Sequence, residues 1–294
     1  VPAKVQLRNR LAYVEPGRVV TDADYDLLVT GEVDVYKPNG DRLCSVRREV
    51  VSQENREAAR PVLRKLKSNV SRNRGVAAGG ERTHPIKQDG TVSSTGLAAP
   101  VHSSIVGFFD RYPRVPYCRQ TAFNAEHPAE FDTLRPAFSE LSACFGATVP
   151  ERFKAQMGIA DKTSHDFVIS GTPWTTITVN YNWPTHTHTD SGDLDEGFSC
   201  LTVLRSGSYR GGVLVFPAFR AGVDLHDGDL IMMDSHESHA NTPFEDTSDD
   251  FERIAMVLYY RTKMKECGTA AEELERAKHL RGDLSAAAEG PELG

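Results

Sequence analysis

Between residues 166 and 262 the chain is cut into short β-forming runs, and this spacing limits its fold more than any other feature. AspPheValIleSer, ThrThrIleThrValAsn, SerCysLeuThrValLeu, GlyGlyValLeuValPhePro, GlyAspLeuIleMetMet and ArgIleAlaMetValLeuTyrTyr follow one another at close intervals, separated by Gly, Asp and Pro. Such spacing favours an antiparallel sandwich or barrel over a sheet built from βαβ crossovers. Upstream, residues 127–157 carry apolar groups at helical spacing, with Phe131, Leu134, Phe138, Leu141 and Phe145 as one buried stripe. Residues 52–68 read as a polar-rich helix begun or broken by Pro61. The first 50 residues mix short β-like runs with turns, and LysProAsnGlyAspArg at 37–42 predicts a hairpin. A charged helix over about 270–281 precedes a Gly/Ala/Pro tail. The fold class is therefore α+β, with an N-terminal extension over 1–100, a β-rich core over 101–264 and a C-terminal helix and tail over 265–294.

Residues 69–100 are rich in Gly, Ser, Ala and Arg and show no apolar periodicity. A stretch that long is functional or disordered as a rule, so a mobile basic segment flanking the active site is expected, with a plain disordered insert as the competing reading. The net charge of −7 hides an asymmetry: from Arg47 to Lys87 eleven Lys/Arg face four Glu, a local +7, whereas acids dominate from Asp224 to Arg253. A basic segment can track a phosphate backbone; a solvated helix face with a loop is the blander account. No apolar run approaches the roughly 20 residues that a bilayer crossing needs. The first residues also lack the apolar segment of a signal peptide, so no membrane association and an intracellular location are expected. The five cysteines are scattered without a C-x-x-C pair, which predicts free thiols rather than a zinc ribbon or a disulfide framework.

The chemistry concentrates in ThrHisThrHisThrAsp (185–190), directly after a predicted strand. Alternate residues of a strand share a face, so His188 and Asp190 can offer a nitrogen and an oxygen to one metal ion. His186 and Asp190 would lie about 13 Å apart along an extended strand, too far to converge on one ion. A second imidazole is available from His236 or His239, which follow the strand GlyAspLeuIleMetMet. Two histidines and one carboxylate on one face of an octahedron leave the other positions open, the arrangement of iron(II) oxygenases. Arg253 opens the last strand, where its guanidinium is placed to clasp the far carboxylate of 2-oxoglutarate, a salt bridge to a nearby acid being the alternative.

Four segments together resemble the TET/JBP dioxygenases: ThrThrIleThrValAsn (175–180), HisThrAspSerGlyAsp (188–193), GlyGlyValLeuValPhePro (211–217) and HisAlaAsnThrPro…Arg (239–253). The likeness extends over roughly residues 103–262. It implies a double-stranded β-helix core, iron(II), 2-oxoglutarate and dioxygen, and oxidation of the 5-methyl group of a pyrimidine in DNA, with 5-methylcytosine favoured over thymine. Membership among microbial or phage enzymes would place the protein in a cytoplasm, the host's if phage-encoded. Position by position, His188 and Asp190 match the family's H-x-D, His239 matches the distal ligand better than His236, and Arg253 matches the 2-oxoglutarate arginine. Ala255 departs from the pattern, since a hydroxyl residue often stands two positions after that arginine.

A methyl group inside a duplex is out of reach of a buried metal, so the base must be flipped out and received by stacking and polar groups. Arg119, Phe123, Asn124, Asn180 and Asp193 are the candidates, with core packing competing for Phe123 and support of the ligand strand competing for Asn180 and Asp193. Arg72, Arg74 and Arg82 suit contacts with the DNA backbone. Nothing in the sequence points to an obligate protein partner. The alternatives are a hydroxylase of the same fold acting on a free metabolite or protein side chain, a catalytically silent DNA-binding module, and a cupin-like metal protein. Succinate release separates the second from an enzyme, and nucleoside analysis of treated DNA separates the first from a DNA oxidase.

Overall fold

The computed structural model describes residues 1–288, so the end of the expected Gly/Ala/Pro tail lies outside the described residues. Two sheets face each other. The larger runs in the order 3–6, 33–36, 42–47, 230–233, 199–206, 252–259, 176–181, 101–109 and 70–71, and residues 119–120 pair with 101–109. The smaller runs 240–241, 214–216, 221–223 and 27–29. Pairing is antiparallel except at the two edges where N-terminal residues join, 3–6 beside 33–36 and 27–29 beside 221–223. The first 50 residues thus extend both sheets, and the hairpin at 37–42 joins Val33–Tyr36 to Arg42–Arg47.

Strand periodicity divides the chemistry between the two faces of the larger sheet. Ile254, Met256 and Leu258 pack with Ile177, Val179, Cys200 and Leu204 against a helical layer. The alternate residues Leu201, Val203 and Ala255 face the smaller sheet, where they meet Leu214, Phe216 and Val223. The helices on the outer face are α1 (Gln53–Arg64), α2 (Ala122–Glu126), α3 (Pro128–Thr148) and α4 (Pro150–Ala160). Both α3 and α4 start on a proline, which loses no hydrogen bond at that position. The stripe Phe131, Leu134, Phe138, Leu141 and Phe145 is buried, as its spacing predicts. Pro61 lies inside α1, whose start is capped by the Ser52 side chain. A last helix, α5 (Ala270–Ala288), runs longer than the sequence pattern predicts.

The cysteines correct one expectation. Cys118 and Cys267 form a disulfide across 149 residues, which ties the start of α5 to the loop before residues 119–120; Cys44, Cys144 and Cys200 are free. No helix among the described residues is long and apolar enough to cross a membrane.

The candidate metal centre and its cavity

The segment after the strand Thr176–Tyr181 returns toward the smaller sheet and meets the residues after the strand Leu230–Met233. There His188 and His239 pair as an antiparallel bridge. Asp190 is held alongside by its amide, which donates to the Ser235 carbonyl at 3.0 Å. The result brings one donor atom from each of His188, Asp190 and His239 within 4.8 Å of one another. His188 Nε2 lies 3.7 Å from one Asp190 oxygen, and His239 Nε2 lies 3.6 Å from the other.

Both rings are oriented by the chain itself. His188 Nδ1 donates to the His186 carbonyl at 2.7 Å, and His239 Nδ1 donates to the Glu237 carbonyl at 2.9 Å. These Nδ1 contacts leave each Nε2 facing the cluster, the atom through which a metal would be held. Burial, with help from the neighbouring imidazole, pushes the His188 pKa down to about 4, so that ring is neutral near pH 7. Asp190 is pulled down to about 2: burial opposes ionisation, but the hydrogen bond from His239 and the two imidazoles outweigh it. For His239 burial lowers the pKa, but the hydrogen bond and charge of Asp190 outweigh it and the net shift is upward. A neutral His188 and an ionised carboxylate suit a divalent cation, which would displace a proton from His239.

The cluster opens into a cavity of about 450 Å³ between the sheets. Its wall follows strand alternation, since Arg253, Ala255, Val257 and Tyr259 line it while the residues between them face the helices. Arg253 is 3% exposed and has no carboxylate partner among the described residues, which disposes of the salt-bridge alternative. Its side chain makes one long hydrogen bond, from Nη2 to the Gly212 carbonyl at 3.4 Å. The Gly-Gly pair makes room for this seat. A Cβ on Gly211 would sit 1.9 Å from the Pro243 carbonyl oxygen, and one on Gly212 would press on Phe244 and Arg253. Gly212 also accepts from Asn241 Nδ2 at 3.4 Å, which brings a carboxamide beside the guanidinium where Ala255 supplies no hydroxyl.

The other expected residues separate. Asn180 lines the cavity and accepts from Ser103 at 2.6 Å. Asp193 also lines it, receiving hydrogen bonds from Ser199 and Ser235, and burial followed by the charge of Asp190 raises its pKa to about 8. Three candidates lie elsewhere. Phe123 belongs to the core under the helices, because α2 turns it inward. Asn124 accepts from the Gly107 amide at 2.8 Å and so anchors α2 to the sheet. Arg119 stacks over Phe109 and Tyr112 and does not reach the cavity.

Arg72 and Arg82 are exposed, but Arg74, expected on the DNA backbone, turns into the cavity. Its buried Nε has no partner; burial pulls its pKa down, and the nearby Tyr259 and Asp190 oppose that shift without cancelling it. His186 bonds the Gly17 carbonyl through Nδ1 at 3.1 Å, and His236 turns to Asp234 and Asp195. Neither joins the cluster, in keeping with the reach argument for His186 and the motif match for His236. Sequence reasoning passed over Tyr259 and Asn241, although the period of two from Arg253 and from His239 points to both.

A family model for the oxygenase domain of the 2OGFeDO superfamily, Tet_JBP, matches residues 104–262. Among curated proteins, the thymine dioxygenase JBP1 of Leishmania braziliensis is 35% identical over 189 residues, covering 62% of this chain and 22% of that protein. The thymine dioxygenase JBP1 of Crithidia fasciculata is 33% identical over 190 residues, with 63% and 23% covered. The chain therefore spans about a fifth of the length of these relatives. A solved structure, NgTET1 in complex with 5mC DNA, superimposes with a TM-score of 0.57 at 12% identity, covering 95% of this chain and 90% of that one. At that identity the likeness is one of fold, a double-stranded β-helix core with flanking helices.

Proposed function

Because the chain belongs to the Tet_JBP oxygenase family, we propose that it oxidises the 5-methyl group of a pyrimidine base in DNA. The superfamily works with iron(II), 2-oxoglutarate and dioxygen. One observation carries the assignment to this chain's own residues: a buried guanidinium without a carboxylate partner shares a cavity with a two-histidine, one-carboxylate cluster. An isolated buried charge is costly, so Arg253 needs an anionic ligand to complete it.

In this reading His188, Asp190 and His239 hold the iron, which when bound supplies the oxidising chemistry. Arg253 receives the far carboxylate of 2-oxoglutarate in a bidentate clasp, with Asn241 as the neighbouring donor. Arg74 offers a second guanidinium near Asp190 for an acidic group at the metal side. Asn180 and Asp193 meet the polar edge of the base, and Tyr259 closes the apolar wall next to it. These groups bind, orient and exclude water.

The thymine dioxygenases among the relatives favour thymine as the base, whereas the motif resemblance favours 5-methylcytosine; we take thymine as the first substrate to try. The experiment is nucleoside mass spectrometry of DNA, with and without 5-methylcytosine, after incubation with protein, iron(II) and 2-oxoglutarate. Hydroxymethyl products and matching succinate release are expected. Succinate release with both bases unchanged would move the substrate to a metabolite or a protein side chain, and no turnover with DNA binding retained would leave a binding module.

A further inference from the structure

The basic stretch from Arg47 to Lys87 splits in two once its partners are traced. Arg47 pairs with Asp34, Arg48 with Asp229, Arg56 and Arg60 with Asp227, Arg64 with Glu252 and Lys65 with Glu130. Three acids of the region 224–253, Asp227, Asp229 and Glu252, are thereby neutralised from within. The remaining five, Lys67, Arg72, Arg74, Arg82 and Lys87, have no carboxylate partner among the described residues. Arg74 points into the cavity, which leaves Lys67 and Arg72 before it and Arg82 and Lys87 on the segment that follows.

That segment is an ordered ribbon. Arg82–Thr83 pair with Leu97–Ala98, Ile86 bridges Val92, and the Ser93 amide donates to the Pro85 carbonyl at 2.8 Å. A tight turn closes the tip, with the Gly90 amide on the Lys87 carbonyl at 3.0 Å and Gly90 at φ +81°. Its root adjoins the cavity wall: the Ala98 amide donates to the Arg72 carbonyl, and Val76 and Ala77 line the cavity. Arg114 donates to Thr95 at 2.8 Å and joins Arg72, Arg82 and Lys87 as a fourth cation near the ribbon, likewise without a carboxylate partner among the described residues. Near the tip, Ile86 is 73% exposed and Val92 64% exposed. A bridged apolar pair held out in water by a hydrogen-bonded turn, between free cations and beside a cavity mouth, has the layout of a wedge for stacked bases. Proteins that kink or open a duplex use apolar wedges of this kind, flanked by cations on the phosphates.

Resting on the DNA reading above, we infer that the ribbon Arg82–Ala98 enters duplex DNA beside the extruded base. Ile86 and Val92 fill the stack, and Arg72, Arg82, Lys87 and Arg114 hold the flanking phosphates.

The test is the double variant Ile86→Ser/Val92→Ser, with Ile86→Leu/Val92→Leu as the apolar control. Each is assayed on one target sequence as duplex and as single strand, and by the fluorescence of 2-aminopurine placed next to the target in the duplex. The serine variant is expected to lose about tenfold in duplex turnover and most of the fluorescence rise, with single-strand turnover kept and the leucine control restored. Full duplex turnover in the serine variant overturns the inference, as does an equal loss on both substrates by a protein with wild-type melting temperature. So does a dimer that the serine substitutions abolish while duplex turnover stays. If the wild-type chain modifies neither substrate, the substrate reading fails by itself. The wedge is then judged on the fluorescence rise, which needs binding and no chemistry.

Discussion

His188 and His239 exchange a pair of backbone hydrogen bonds, 3.1 Å from the His188 amide and 3.0 Å in return, so the two imidazoles are set by the chain before any ion arrives. Their centroids lie 4.4 Å apart. Because the scaffold and not the metal fixes the site, His188→Ala and Asp190→Ala are expected to abolish turnover and tight iron(II) binding while leaving the melting temperature of the metal-free protein nearly unchanged. His186→Ala is expected to keep both activities. Metal titration by calorimetry alongside thermal unfolding checks this, and full activity in His188→Ala would reassign the ligand.

Arg253 presents a charge that the fold buries and does not pair. Arg253→Met is therefore expected to stabilise the unliganded protein by about 1 kcal/mol or more, by removing an uncompensated buried charge. The same substitution should sharply raise the 2-oxoglutarate requirement and remove the thermal stabilisation that 2-oxoglutarate gives the wild type. Calorimetric melting with and without 2-oxoglutarate reads both effects. A lower unliganded melting temperature would mean that the guanidinium supports the sheet and does not wait for an anion.

The link from Cys118 to Cys267 closes a loop of 149 residues. In non-reducing buffer Cys118→Ala/Cys267→Ala should cost about 2–4 kcal/mol of stability. In reducing buffer the variant and the wild type should converge. Thiol titration of the denatured wild type is expected to find the three free cysteines, Cys44, Cys144 and Cys200, and five only after reduction.

Glu273 anchors α5 beside that disulfide. It is buried, pairs with Arg111, and accepts from the amides of Cys118 at 2.8 Å and Gly268 at 2.9 Å. Burial raises its pKa, but the Arg111 hydrogen bond and the two amides outweigh that, and the net shift is below the ordinary 4.5. A carboxyl depressed on folding adds stability that is fully present above its unfolded pKa and is lost as pH falls through the folded value. Stability should therefore fall on acidification below about pH 4.5, and Glu273→Gln should lower stability at neutral pH while flattening that fall. Chemical denaturation at a series of pH values checks both signs.

Much of this was legible in the sequence because strand alternation carries it. The run ArgIleAlaMetValLeuTyrTyr alternates between cavity and helix layer, and the same alternation pairs His188 with Asp190. The stripe from Phe131 to Phe145 follows the helical period in the same way. What was illegible depends on contacts between distant segments. The Cys118–Cys267 pairing spans half the chain and leaves no local signature. Phe123 and Asn124 look like site residues in a motif-rich stretch, yet a short helix turns one into the core and uses the other as an anchor. The basic stretch reads as uniform, although Arg48, Arg56, Arg60 and Arg64 pair with acids 167 to 188 residues away.

Arg74 is the sharpest such case and gives the last prediction. Its segment has no periodicity to say which way it faces, and an exposed loop arginine suggests a phosphate contact. The short helical turn Gly75–Ala78 instead folds the chain over the cavity, with Arg74 just before it and Ala77 bonded to the His186 amide at 2.9 Å. A phosphate contact and a cavity contact differ in how salt affects them. Removing a phosphate contact lowers the salt dependence of DNA binding by about one unit in the log–log slope, without touching the handling of small molecules. Arg72→Ala and Arg82→Ala are expected to behave that way. Arg74→Ala is expected to leave the slope unchanged while raising the KM for 2-oxoglutarate or lowering kcat, because its guanidinium lies near Asp190 and away from solvent. A lowered slope with unchanged 2-oxoglutarate kinetics in Arg74→Ala would return this residue to the DNA backbone.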